Sequence, residues 1–150
     1  MTTLKERLAA EIRDAMRSGD KTRLMALRML STQVTNREKE VLHELDDEEV
    51  RQVAAKEVKR RTESIEAFEP AGRVDLASRE REEREVLKAY APEELSEAEV
   101  DALIDEAIAT TGASSPKEMG KVMGLVMGKA KGRVDGSLVQ EKVKGRLGGG

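Results

Sequence analysis

This chain has no cysteine and no tryptophan, one histidine (His43), one phenylalanine (Phe68), one tyrosine (Tyr90) and three prolines among 150 residues. Without cysteine there are no disulfides, no thiol nucleophile and no zinc–thiolate site. With a single histidine, a Cys/His pair is excluded and any Ser/His arrangement would depend on His43 alone. His43 is expected to be structural, at the end of a helix where an imidazolium suits the dipole. The scarcity of aromatics disfavours recognition of single strands by base stacking. Long apolar runs are missing too: no window of about 18 residues would span a bilayer. The first residues, MTTLKERLAAEI, are amphipathic and charged, unlike the apolar region of a signal peptide, so the expected compartment is cytoplasmic. No G-x-x-x-x-G-K-[ST] phosphate loop occurs. No cofactor and no metal site is expected, and catalytic residues are not assigned.

Charge and helix-forming residues fill the space. Asp, Glu, Lys and Arg make up 38% of the chain, and cores must come from Leu, Val, Ile, Met and Ala. Such a composition favours helices. Apolar residues recur at helical spacing throughout, and no period-2 run or hairpin signal interrupts them. Thr3 with Glu6 reads as a capping box for a first helix, and Ser18-Gly19 ends it. Asp20 caps a second helix carrying Leu24, Leu27, Leu30 and Val34. Asp46 caps a third, with Val50, Val53, Ala54, Val58, Ile65 and Phe68 inward, until Pro70-Ala71-Gly72 breaks it. Glu57 and Arg61 fall inside this apolar stripe at a spacing that permits an ion pair. A fourth helix runs from about Arg73 to Tyr90, and its charged middle, Ser78–Glu85, is expected at the surface. Ala91-Pro92 stops it. Ser96 and Glu99 then box a fifth helix, a sixth starts at Ser115, and a seventh starts near Gly136 behind Asp135. Gly148–Gly150 is expected to fray. The predicted fold is all-α: an N-terminal four-helix part over residues 1–91, then a small three-helix bundle over residues 92–150.

The densest signal is Ser115–Gly136, SPKEMGKVMGLVMGKAKGRVDG. Ser115, Pro116 and Glu118 form a capped start. Gly120, Gly124, Gly128, Gly132 and Gly136 follow every fourth residue, although each glycine inside a helix costs roughly 1 kcal/mol against Ala. Three readings follow: close packing of a neighbouring helix, approach of a nucleic-acid backbone, or a partner groove built from Gly120, Gly124, Met123 and Met127. The first is favoured.

Residues 117–147 also gather cations. Lys117, Lys121, Lys129, Lys131, Arg133, Lys142, Lys144 and Arg146 stand against three acids, a net of +5, while the chain before residue 117 carries 19 basic and 27 acidic residues. An acidic body with a basic end suits a polyanion. These eight are the candidate RNA-binding residues; an ordinary solvated surface is the alternative.

The motif S-P-K-x-M-G-K-V-M followed by K-G-R-x-D-G resembles the YqeY family, which is similar to the C-terminal tail domain of the B subunit of glutamine-dependent tRNA amidotransferases. LRMLSTQVTNREKE (Leu27–Glu40), KEVKRRTESIEAFEPAGRVDLA (Lys56–Ala77) and YAPEELSEAEV (Tyr90–Val100) match in order and spacing, so the resemblance covers nearly the whole chain. It departs at Gly124 and Gly128, where bulkier residues or proline are usual, so no family role is carried onto them. The resemblance implies an all-helical, two-part fold and a tail that contacts transfer RNA by shape and backbone. The ATP-dependent activation and amide transfer lie in other domains of those enzymes. The expected function is therefore a non-catalytic module that binds or positions transfer RNA. A protein-interaction adaptor and an auxiliary component of a carbon–nitrogen ligase are the alternatives. Neither DNA nor membrane is an expected partner.

Overall fold

A computed structural model describes residues 2–148. The described chain is helical, with no strand among the described residues. It divides into two compact units, Met1–Pro92 and Glu93–Gly150.

The first unit holds α1 (Leu4–Ser18), α2 (Lys21–Val41), α3 (Asp47–Phe68) and α4 (Val74–Lys88). Local chemistry sets the boundaries. The Thr3 hydroxyl accepts from the Glu6 amide at 3.1 Å, one half of the expected box. Gly19 ends α1 in the left-handed region at φ 75°, where glycine bears no Cβ penalty. Asp20 then caps α2. Asp46 and Glu49 close a full capping box on α3. The Asp47 carboxylate also accepts from the Leu4 amide at 2.9 Å, tying the start of α1 to the start of α3. Leu27, Leu30, Val50, Leu87 and Tyr90 are buried at the centre of this unit.

Two expectations change here. Ser78–Glu85 does not ride wholly on the surface, because Glu83 is buried against α3. Phe68 is only half-buried, at the end of α3. The Glu57–Arg61 pair is present, at 2.7 Å, with both side chains buried.

The second unit holds α5 (Glu97–Thr111), α6 (Met119–Ala130) and α7 (Gly136–Arg146). Ser96 and Glu99 form the capping box of α5, and Gly112 ends it at φ 67°. The box at Ser115 and Glu118 opens on a 3-10 turn, Pro116–Glu118, and α6 begins only at Met119. Asp135 caps α7 by accepting from the Ser137 amide at 3.0 Å. Val100, Ile104, Val122, Val126, Val139 and Val143 form a core shared by all three helices. The α6–α7 loop is tied to the chain entering α5: the Leu95 amide donates to the Arg133 carbonyl at 2.8 Å, and the Arg133 Nε donates to the Glu93 carbonyl at 2.7 Å. The expected tail reaches the described residues only at Gly148; residues 149 and 150 lie outside them.

Candidate nucleic-acid interface

The eight cations of residues 117–147 meet different fates in the folded unit. α7 packs on α5, and the two helices present opposite charge to each other. Glu97, Asp101 and Asp105 recur every fourth residue on α5, and Lys142 and Arg146 do the same on α7. Lys142 Nζ lies 3.0 Å from both Glu97 and Asp101. Arg146 contacts Asp101 at 3.4 Å and also pairs with Asp105. The hydrogen bonds that Lys142 donates to Asp101 and to Glu97 raise its pKa. Lys129, at the end of α6, pairs with Glu106 of α5. Arg133 spends its Nε on a backbone carbonyl. Lys131, an exposed residue at φ 48°, makes the left-handed turn out of α6, followed by Gly132 at φ 79°.

Lys117, Lys121 and Lys144 differ. All three are exposed, and none has an ion-pair partner among the described residues. Lys117 and Lys121 flank the exposed glycines of α6. A Cβ built on Gly120, Gly124 or Gly128 would meet nothing within 4 Å. The favoured reading, close packing of a neighbouring helix, is thereby overturned. The five glycines serve three purposes: three leave an open strip on α6, Gly132 takes a positive φ, and Gly136 opens α7 with its Cβ position 3.6 Å from the Met127 methyl. Met123 and Met127 pack half-buried against the core of this unit, while Gly120 and Gly124 point away from it into open space.

The start of α6 is fixed by charge. The Glu118 carboxylate accepts from the Ser114 amide at 2.6 Å and the Ser115 amide at 3.3 Å, and these backbone donors hold its pKa below the usual range. Lys117 and Lys121 thus sit on a backbone whose first turn is pinned.

His43 is held at the α2–α3 junction. Its Nε2 lies 2.7 Å from Glu49 Oε2 and its Nδ1 3.2 Å from the Val41 carbonyl. The hydrogen bond to Glu49 raises its pKa, and the same bond lowers that of Glu49.

A feature that composition and spacing did not reveal lies in the first unit. Gln33, Asn36 and Arg37 of α2 face Gln52, Lys56 and Arg60 of α3 across an open polar cleft, with the buried Glu57 among its lining residues. Two of the stretches that carried the resemblance, Leu27–Glu40 and Lys56–Ala77, line it together. Their convergence was the available signal, and it needed the pairing of α2 with α3 to become visible.

Comparison with known proteins gives the family. The family model described as Yqey-like protein matches residues 5–147. A curated relative, "Altered inheritance of mitochondria protein 41, mitochondrial" of Pyrenophora tritici-repentis (strain Pt-1C-BFP), is 32% identical over 104 residues, which are 68% of this chain and 58% of the relative. The match thus spans under two thirds of that relative's length. No helix among the described residues is long and apolar enough to cross a membrane. With a family model matched over almost its full length, this chain belongs to the YqeY family.

Proposed function

We propose that this chain is a non-catalytic helical module that binds structured RNA, of the transfer-RNA class, through its C-terminal part, residues 92–150, with residues 1–91 as a separate four-helix domain. One observation carries the reading: Lys117 and Lys121 stand exposed, without ion pairs, beside an uncovered glycine backbone on α6. Lysines next to bare backbone can reach phosphate oxygens, and no side chain holds the nucleic acid away. The resemblance to the amidotransferase tail supports the same partner class, and the scarcity of aromatics favours duplex shape over stacked single strands. Lys144 adds a third unpaired cation, and Lys131 and Arg133 flank the loop. The cytoplasm is the proposed compartment; the relative's printed name places that protein in mitochondria.

The experiment is a tRNA-binding titration at low salt. K117E/K121E is expected to weaken binding by about tenfold or more, since each lost phosphate contact removes released counterions. Arg133 is a poor probe, because its substitution also removes the bond to the Glu93 carbonyl. Affinity equal to that for heparin, or indifference to K117E/K121E, would falsify the reading.

A further inference from the structure

The first unit carries a face that neither its own fold nor the RNA reading uses. Met16 of α1 and Met25 and Met29 of α2 are 50%, 53% and 42% exposed. In α2 the core side is taken by Ala26, Leu27, Leu30 and Val34. On the helix wheel the opposite side is Lys21, Met25, Arg28, Met29, Thr32 and Asn36, and each of these is exposed. The two helices join into one surface there, because the Arg28 Nη2 donates to the Met16 sulfur at 3.3 Å. Gln33 donates to the Met29 sulfur at 3.9 Å.

The charge around this face is predominantly basic. Residues 21–37 contain no acid, and residues 13–37 hold six basic residues against Asp14 and Asp20. Arg17, Arg23 and Arg37 have carboxylate partners in Asp14, Glu11 and Glu40. Arg13, Lys21 and Arg28 have none among the described residues, and Arg28 turns to a thioether instead.

We infer that the outward face of α1 and α2 around Met16, Met25 and Met29 docks an acidic amphipathic helix of a partner protein. Exposed methionines are unbranched and polarizable, so they adapt to the apolar stripe of a helix laid on them. The unpaired cations around them meet the acidic flanks of such a helix and set its orientation. Lys21 to Asn36 spans about 23 Å, enough to seat roughly four turns. RNA would use the cations and leave the three thioethers without purpose. A membrane surface would call for Trp, Phe or Leu at the tips, and among Lys21, Met25, Arg28, Met29, Thr32 and Asn36 there is none.

The test uses the full chain labelled with 13C at the methionine methyls. The probe is a synthetic peptide of about five turns, with Leu at i, i+3, i+4 and i+7 and Glu on the flanks. On addition of peptide at low salt, the methyls of Met16, Met25 and Met29 are expected to shift saturably, while those of Met119, Met123 and Met127 stay. M25E/M29E and K21E/R28E are each expected to weaken binding about tenfold or more. All four positions are exposed, so the far-UV circular dichroism is expected to hold. A scrambled peptide of the same composition is expected to bind at least about tenfold more weakly. The inference is overturned by absent or unsaturable binding, by equal affinity for the scrambled peptide, or by shifts confined to the other methionines. It is equally overturned if the three methyls respond more strongly to tRNA or to phosphatidylserine vesicles than to the peptide.

Discussion

Glu57, Arg61 and Glu83 form a buried ionic triad between α3 and α4. Arg61 Nη1 lies 2.7 Å from Glu57, while its Nε lies 3.9 Å from Glu83, beyond hydrogen-bond reach. Burial raises the Glu83 pKa, and the Arg61 charge partly counters that. Removing one partner of a buried ionic group is costly, because the rest stays desolvated. R61A is therefore expected to lower unfolding free energy in urea by about 3 kcal/mol at pH 7. The native state keeps the Glu83 proton to higher pH than the unfolded chain does, so this group's contribution declines as pH rises from 4.5 through the raised value. Without Arg61 that decline steepens, and the R61A deficit is expected to be smaller near pH 5 than at pH 7. An equal deficit at both would mean that Glu83 does not feel Arg61. His43 gives a second, separate check, since it is the only histidine. Its pKa in an NMR titration is expected above 6.5 and, in E49Q, back near that value. Stability linked to this group is full below pH 6.5 and fades as pH climbs through the raised pKa. At this scale the sequence was legible where partners are four apart, as Glu57 and Arg61 are. Glu83 was not, because a charged run shows its own exposure pattern but not the helix that will cover it.

At the scale of elements, the helix ends were the most legible part, because each cap is written in a few adjacent residues. Asp20, Asp46, Ser96 and Asp135 all cap as their side chains predict. The 3-10 opening of α6 was not legible, since the same Ser-Pro-x-Glu box suits either first turn. The glycines of α6 show a related limit: spacing shows which face they share, but not whether anything lies opposite. That open face makes a prediction. G120A, G124A and G128A bring a Cβ that meets nothing, so each is expected to stabilise the chain by about 0.5–1 kcal/mol. If the strip also receives RNA, the triple variant melts higher while binding tRNA more weakly. Higher melting with unchanged binding would show that the strip is merely uncovered helix.

For the whole molecule, net charge was legible but its distribution was not. Counting along the chain separates an acidic body from a basic end. Folding redraws the division, because α5 joins α6 and α7: Glu93–Gly150 holds eight basic and ten acidic residues, and Met1–Pro92 holds nineteen and twenty. Both units are close to neutral, so the proposed attraction to RNA cannot rest on bulk charge and would have to come from the few cations left unpaired. This bounds the salt dependence. With Lys117, Lys121 and Lys144 on phosphates, log affinity is expected to fall with log salt at a slope of about −2 to −3. A slope several units steeper would mean that the α5–α7 ion pairs open on binding. Those pairs offer a direct manipulation. D101N/D105N removes the carboxylates from Arg146 and one of the two from Lys142. Exposed pairs of this kind contribute about 0.2–1 kcal/mol each, so the variant is expected to fold with a small stability loss. If α7 lies within reach of the RNA, the released cations tighten binding at low salt and steepen the slope by about one to two. An unchanged slope in a stably folded D101N/D105N would place α7 away from the nucleic acid and leave the outer face of α6 to carry the contact alone.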